Sequence, residues 1–494
     1  MTQKVDAPAG WSSSRFFWLV LAAITLWKVI ACVKLTLVLD EGYYHYWSLH
    51  PQLSYFDHPP LTGWLMTLSG MLLGNSVWTV RIWPLLGGII FTLLGRALGR
   101  AWAGPATGNR AGVLLSLAPL LAGNGLIMTP DTALAVAWAA AIGSVWKALF
   151  QDARKFLWWS LAGVCAGLGF LSKYPMLLFF FGLGLFWLFA PGKRWEVFWG
   201  TAWAGLIALA LFSPVIFWNA QNGWISFLFQ IGHGLNPSDH SLAGKLLNYL
   251  GVLLLIATPF VGALAMLSSV RAVINPDLKG RLLAAFFWSI VLFFGYSALK
   301  MMVAANWAML AFYTALILLA RDWPAFPRRF RNLALGLLVV GDVLVMAYLM
   351  IPAGTPLRIG GKALDPNRIR EFIGAQEVAA VVARQVASTP VDFVCADRHQ
   401  TFGLLQFYAP ELRDKLWLPD SGRTRFPWIN DSAWAGGTAL LVSSGPRDWN
   451  EYGWFDKVTL VGETRVPFKK VRAHTLYFYL GSGYHPERVK EKKD

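Results

Sequence analysis

The chain has 494 residues, 56% of them hydrophobic and 14% charged, with a net charge of +16. Soluble globular proteins carry about 25% charged residues, so this composition, with a mean hydropathy of +0.48, excludes an ordinary soluble enzyme and a disordered chain. It points to a polytopic membrane protein whose excess of 43 Lys and Arg over 27 Asp and Glu reads as basic cytoplasmic loops, with no soluble basic face left for nucleic acid.

In chain order, apolar runs near the ~20 residues needed to cross a bilayer predict eleven spans. They cover 16–38, 78–98, 111–128, 131–150, 157–172, 174–190, 197–218, 246–270, 282–299, 304–320 and 331–351. The first follows Lys4 and Arg15 and lacks a small-residue cleavage site, so it reads as an uncleaved signal anchor. With the N-terminus in the cytoplasm, alternation puts Arg96, Arg100, Arg110, Lys147, Arg154, Lys155, Lys193, Arg194, Arg271, Lys279, Arg281 and Arg321 inside. Outside, up to residue 351, remain little beyond Arg81, Lys173, Lys245 and Lys300. This bias satisfies the positive-inside rule. An odd span count then leaves the C-terminal part outside, in a periplasm.

Eleven of the 27 acidic residues precede residue 351 and sixteen follow it. With the segment IPAGTP from Ile351 to Pro356, this shift predicts a membrane domain over 1–351 and a soluble α/β domain over 352–494. In the latter, Glu371–Ala387 has helical periodicity, and Val391–Ala396, Thr438–Ser443, Val458–Val461 and Thr475–Leu480 read as strands. The tail from Arg488 reads as a frayed end. The three cysteines, Cys32, Cys165 and Cys395, are far apart and imply neither a disulfide framework nor a metal box.

The chemistry is expected in the outer loops 39–77, 128–131 and 219–245. The stretch LDEGYYHYWSLHPQLSYFDHPPLTGW (Leu39–Trp64) holds three acids, three His and five Tyr or Trp before Phe56. It is too polar to span and suits an interfacial segment meeting the polar head of a lipid; an aromatic belt alone would not need Asp40-Glu41 or Asp57-His58. Asp40, Glu41, Asp57, Asp131 and Asp239 all fall at the outer face. Asp131 in TPDTAL has two readings, a helix N-cap or a pocket acid. Lys173 also has two, a snorkelling Lys or a substrate ligand. His233 either lines the pocket or is a surface residue. Lys28 and Asp342 lie inside spans and are costly in lipid unless they face protein or water.

These motifs carry a resemblance. The Asp-Glu after the first span and Tyr55-Phe56-Asp57-His58-Pro59 resemble the polyprenyl-phosphate-dependent glycosyltransferases of the GT-C fold. TPDTAL, GLGFLSKYPMLL (Gly167–Leu178), WNAQNGWISFLFQIGHG (Trp218–Gly234), NWAMLAFY (Asn306–Tyr313) and ADRHQTFGLLQFYAP (Ala396–Pro410) are similar to the same group. Within it, the chain resembles the bacterial branch of the dolichyl-phosphate-mannose–protein mannosyltransferase superfamily, which includes aminoarabinose transferases acting on lipid A.

The resemblance implies a GT-C-like helical membrane protein with a small outer α/β domain. It would be an inverting glycosyltransferase of the bacterial inner membrane, using a polyprenyl-phosphate sugar donor and an envelope acceptor such as lipid A. Asp40 would take the acceptor proton, with Glu41 assisting and Asp131 as a further catalytic acid. Tyr43, Tyr44, Asp57, His58, Lys173, His233 and Lys300 would bind substrate or meet the leaving phosphate. His58 stands where the aminoarabinose transferases have Lys, and Tyr43 where some relatives have Arg. No cofactor is implied; Asp40, Glu41, His45, His50, Asp57 and His58 could supply metal ligands, but their spacing is no recognised metal box and the branch resembles metal-independent enzymes, so no metal is expected. Two other classes remain. A transporter or lipid flippase would place charges at mid-membrane in repeated halves. A non-catalytic envelope-assembly subunit would tolerate loss of Asp40.

Overall fold

The computed structural model describes residues 10–235, 238–275, 277–350, 358–359, 362–363, 374–419, 428–468 and 471–489. The expected boundary at Ile351–Pro356, residues 371–373 and the tail beyond residue 489 lie outside the described residues. The chain divides into two compact units. The first comprises Met1–Ile30, Gln52–Thr62 and Arg81–Tyr348; the second comprises Ala31–Pro51, Gly63–Val80 and Leu349–Asp494. The long outer loop 39–77 is therefore shared between them.

The helices are α1 (Ser14–Lys34), α2 (Leu39–Leu49), α3 (Leu61–Leu73), α4 (Val77–Leu117), α5 (Pro119–Asn124), α6 (Pro130–Phe150), α7 (Lys155–Ser172) and α8 (Leu177–Leu188). After them come α9 (Arg194–Gln221), α10 (Ile225–Leu235), α11 (Leu242–Leu255), α12 (Pro259–Ile274), α13 (Leu278–Ser297), α14 (Ala305–Ala308), α15 (Ala311–Asp322) and α16 (Arg328–Met350). Among the described residues seven helices are long and apolar enough to cross a membrane, or eight if the bent pair α11–α12 is one span.

The eleven spans read from hydropathy are thus not reached. The stretch 111–128 is the end of α4 plus the six-residue α5, 174–190 is the twelve-residue α8 behind a single tight turn, and 304–320 is split into α14 and α15. A hydropathy window registers apolar length but not breaks. One break lies inside α4, in the gap that the windows left between 78–98 and 111–128, where Ala103 (φ −140°) and Gly104 (φ +85°) precede Pro105 and divide the helix into two arms. Another bends α11 against α12 by 92° at Thr258, a β-branched residue held at φ +67°, a conformation that costs backbone energy.

In the first unit α6 has the largest buried share, 67%, of the helices long and apolar enough to span. Its sequence is apolar nearly all round, and most of its residues are buried, as expected for a helix surrounded by others. Trp138 on α6 meets Phe179 and Phe286 edge-on at 6.1 and 5.8 Å. Helices α6 and α7 form an antiparallel hairpin turned over residues 151–154. Against α9, α7 presents Gly163 and Gly167; a Cβ on either would lie 2.7 Å from Ala204 O or from the Leu211 side chain. Small residues here let the helices approach closely, the usual device where lipid offers no hydrophobic drive. Helices α9 and α16 are only 17% buried over their most apolar windows, which leaves them lipid-facing flanks.

In the second unit the sheet has the order β4-β3-β5-β7-β6, built from β3 (Phe393–Ala396), β4 (Leu416–Trp417), β5 (Ala439–Ser443), β6 (Phe455–Phe468) and β7 (Val471–Tyr484). Strand β3 runs parallel to β4 and β5, whereas β7 is antiparallel to β5 and β6. A separate pair, β1 (Arg358–Ile359) and β2 (Lys362–Ala363), precedes it. Helix α17 (Ala375–Ser388) and helix α18 (His399–Tyr408) complete the α/β arrangement, and α19 (Pro486–Val489) ends it. The expected strands Val458–Val461 and Thr475–Leu480 lie within β6 and β7, while Val391–Ala396 and Thr438–Ser443 start two residues and one residue before β3 and β5.

Helix α2 packs on α18 by the close crossing of two glycines. A Cβ on Gly42 would lie 2.7 Å from the Gly403 carbonyl carbon, and only a residue without a side chain admits that approach. The crossing is reinforced by Tyr46 against Phe402, His45 against Phe407, and a bond from Leu37 N–H to the Tyr408 hydroxyl at 2.8 Å.

Candidate active site

In the first unit the hairpin geometry of α6 and α7 brings Asp131 and Lys173 to the same end. Helix α6 is capped at Thr129, with Pro130 opening its first turn, so the N-cap reading of Asp131 does not hold. Asp131 lies in that first turn, where a negative charge is favoured by the helix dipole, and its carboxylate faces Lys173. The Lys173 ammonium donates to both Asp131 oxygens at 2.8 Å. Asp131 is 5% exposed and Lys173 8%, so this is a buried ion pair rather than a snorkelling lysine. The Ser172 hydroxyl donates to Pro130 O at 2.6 Å and clamps the end of α7 to the start of α6.

A third group completes this cluster. Asn306 Nδ2 donates to Asp131 Oδ2 at 3.0 Å. The loop delivering Asn306 is held from α11, where buried Lys245 donates to Lys300 O at 3.1 Å and Asn248 to Val303 O at 3.0 Å. Lys300 itself enters through that carbonyl, which also accepts from Ser238 N–H, and its ammonium lies 5.0 Å from the Tyr296 ring centroid. Beside Lys173, the Tyr174 hydroxyl is 2.6 Å from Ser226 Oγ, and Ser226 N–H donates to Asn219 Oδ1 at 3.2 Å. The turn between α9 and α10 holds Trp224 at φ +61°.

Asp57 and His58 sit in the part of the first outer loop that belongs to this unit. The Asp57 carbonyl accepts from Gln230 Nε2 at 2.6 Å, and Phe56 meets Phe229 at 4.8 Å, so the loop is pinned to α10. The His58 carbonyl accepts from Tyr55 N–H at 3.1 Å and closes a tight turn. His233 lies on α10, with its side chain outside the described residues.

In the second unit Asp40 and Glu41 open α2 and point differently. Glu41 is fully buried, and its Oε2 accepts Val38 N–H at 2.8 Å, which closes the first helical turn. Asp40 has 52% of its side chain exposed, with His399 Nε2 3.9 Å from Oδ1. Its carboxylate is thus half exposed, with an imidazole from α18 beside it. Tyr43 and Tyr44 are buried; their rings meet Trp47 at 5.1 and 4.9 Å, and Tyr43 meets His399 at 4.7 Å.

Deeper in α2, burial and the Arg413 charge push the His45 imidazole pKa down to about 4. Among the described residues no group of three or more His, Cys, Asp or Glu is arranged to hold a metal ion.

The sequence had singled out Asp131 and Lys173 separately; the structure joins them. Asn306 and His399 were missed as individuals although both lie in motifs noted there. The only signal for either was its motif, since a lone Asn or His has no spacing that marks it.

A lysine bridging a buried acid has three N–H donors, of which two go to Asp131. The third can meet an anionic oxygen. In the first unit the Lys173 ammonium can hold a phosphate oxygen; in the second, the Asp40 carboxylate can accept a proton from a hydroxyl.

The dolichyl-phosphate-mannose-protein mannosyltransferase family profile matches residues 57–218. Over 416 residues, covering 81% of this chain and 84% of that protein, the chain is 25% identical to the lipid A galacturonosyltransferase RgtD of Rhizobium johnstonii. It is 28% identical over 124 residues to the undecaprenyl phosphate-alpha-4-amino-4-deoxy-L-arabinose arabinosyl transferase of Pseudomonas aeruginosa, a match covering 24% of this chain and 23% of that protein. Among solved structures, ArnT from Cupriavidus metallidurans bound to undecaprenyl phosphate superposes with a TM-score of 0.68 at 15% identity, covering 94% of this chain and 98% of that one. The fold is thereby the GT-C-like fold expected from the sequence.

Proposed function

We propose that this multi-pass inner-membrane protein is a glycosyltransferase that moves a sugar from a polyprenyl-phosphate donor to an envelope glycolipid, lipid A or a glycan attached to it. The observation that carries this reading is the match to a lipid A galacturonosyltransferase along 81% of the chain. The fold likeness to an undecaprenyl-phosphate complex over 94% of it supports the same donor class. None of the relatives named above is a transporter.

The reaction is a single displacement. The acceptor oxygen attacks the anomeric carbon, the bond from that carbon to the phosphate oxygen breaks, and polyprenyl phosphate leaves with the electron pair; the anomeric centre inverts. Asp40 takes the acceptor proton, for which an exposed carboxylate is suited. Lys173 meets the charge gathering on the phosphate. Asp131 and Asn306 keep Lys173 in place, and Tyr43, Tyr44, Asp57, His58, His233 and Lys300 are the further candidates for binding substrate. Glu41 acts by fixing the turn that presents Asp40.

The N-terminus is cytoplasmic, and residues 352–494 form a periplasmic domain. What supports this orientation is the α6–α7 hairpin, which gathers Lys147, Arg154 and Lys155 at one end and Asp131 with Lys173 at the other. The direct test is transfer by purified protein in nanodiscs from undecaprenyl-phosphate-linked galacturonic acid and, separately, aminoarabinose to lipid A. Release of undecaprenyl phosphate that depends on the acceptor is expected with one donor. Absence of transfer with a panel of lipid-linked pentoses and hexoses, by protein that remains folded, would overturn the reading.

A further inference from the structure

An apolar groove of about 280 Å³ opens on the flank of the first unit, between α8, α12 and α13. Its walls are Leu185, Phe189, Val273, Ala285, Trp288 and Leu292, and a single charged residue, Arg281, stands at its edge.

The groove's charged edge lies at the end of the helices opposite Asp131. Helix α6 spans 21 residues from Pro130 to Phe150, about 30 Å at ~1.5 Å per residue, close to the thickness of a bilayer's hydrocarbon core. Asp131 occupies its first turn. Lys279, two residues before Arg281, lies 5.9 Å from the ring centroids of Trp146 and Phe150 at its last turn. Arg281 therefore meets the leaflet away from the candidate active site.

The described carboxylates at this end are already engaged. Glu196 pairs with Lys155 at 3.0 Å and Lys193 at 3.3 Å. Asp277 and Asp322 pair with Arg321 at 3.1 and 2.8 Å, and Asp152 pairs with Arg154 at 2.9 Å. Arg281 forms no ion pair with a described residue; its Nε donates only to Asn275 O at 2.9 Å. Arg194 is in the same position. Its guanidinium donates to Leu188 O at 3.3 Å, next to groove residue Phe189, and lies 5.2 Å from the Trp187 ring centroid. Two guanidinium groups with no carboxylate partner among the described residues thus stand at this end, Arg281 at the groove's edge and Arg194 bonded to the carbonyl next to groove residue Phe189, where a fork of N–H donors matches a phosphate.

We propose that this groove binds an anionic phospholipid of that leaflet, with one acyl chain between α8, α12 and α13 and the headgroup phosphate on Arg281 and Arg194. The site is separate from the transfer reaction and requires no sugar donor. Basic residues at a membrane surface each favour anionic lipid by an amount that makes two of them worth about tenfold or more in preference.

The test uses the whole protein in mixed phosphatidylglycerol and phosphatidylcholine, with native mass spectrometry of the retained lipid. Wild type is expected to retain phosphatidylglycerol over phosphatidylcholine about tenfold. The Arg281→Gln, Arg194→Gln double variant should retain both alike, and Arg281→Lys should keep most of the preference. Equal retention by wild type, or an undiminished preference in the folded double variant, overturns the proposal. A second measurement needs no variant: phosphatidylglycerol with a photoactivatable group in its acyl chain should label wild-type peptides spanning 270–274 and 285–292. Labelling spread evenly over the lipid-facing α9 and α16 overturns the proposal, as does equal labelling by the phosphatidylcholine analogue.

Discussion

Replacing Lys173 by Met strands the Asp131 carboxylate. It is 5% exposed and would keep Asn306 as its one described side-chain donor in place of that amide plus two ammonium bonds at 2.8 Å. Breaking a buried pair from one side costs about 3–5 kcal/mol, because the remaining charge is left desolvated. Asp131→Asn strands Lys173 in the same way. Removing both charges together strands neither, and uncharged replacements of a buried pair are often nearly neutral. The double variant should therefore recover at least about 2 kcal/mol relative to the sum of the single losses.

The assay is unfolding of each variant in nanodiscs, with sugar transfer measured on the same samples. Stability should fall in both single variants and largely return in the double, while transfer stays lost in all three. Single variants within about 1 kcal/mol of wild type would refute the buried pair. A double variant that regains both stability and full transfer would reduce the pair to a fastener between helices.

Three other predictions concern other parts of the structure. Asn306→Ala removes a bond to a charged acceptor, worth about 1.5–3 kcal/mol; transfer should fall at least about tenfold with substrate KM little changed, as steady-state kinetics would show. Gly42→Ala places a methyl against the Gly403 backbone and should destabilise the second unit by about 1–3 kcal/mol, visible as a lower unfolding temperature. His45 is held neutral, with a folded pKa near 4 against 6.5 unfolded. Its unfolded form therefore binds the proton first. Stability from this site is complete above pH 6.5 and is lost as pH falls toward 4, by about 3 kcal/mol in all. Unfolding from pH 8 to 4 checks this, and His45→Phe should flatten the dependence.

Much of this fold was legible because its signals are local. Apolar runs located each of the seven described helices long enough to cross a membrane, and the runs Val391–Ala396, Thr438–Ser443, Val458–Val461 and Thr475–Leu480 fell on β3, β5, β6 and β7. What the runs could not report was where the backbone breaks. Thr258 bends the window 246–270 with no change in hydropathy, and the windows 111–128 and 304–320 are each divided between two helices, so seven or eight helices among the described residues are long and apolar enough to span where eleven windows were read. The short α18 was likewise noted as a motif without its helical form, since HQTFGLLQFY is too mixed to show a clear period. Contacts between distant segments were illegible for a different reason. Asp131 and Lys173 each stood out as charges in apolar surroundings, but they are 42 residues apart, and only the hairpin of α6 and α7 makes them partners. Gly42 and Gly403 each lie in a noted motif with nothing local to mark either. Their necessity appears only once α2 crosses α18.

The most direct measurement of the central claim is mass spectrometry of envelope glycolipids from three strains: a deletion, the deletion restored with wild type, and the deletion restored with Asp40→Asn at equal expression. The account predicts one sugar mass on lipid A or its attached glycan, absent in the deletion, regained with wild type and still absent with Asp40→Asn. Unchanged glycolipids in the deletion would contradict the transferase reading. Full restoration by Asp40→Asn would remove Asp40 as the proton acceptor.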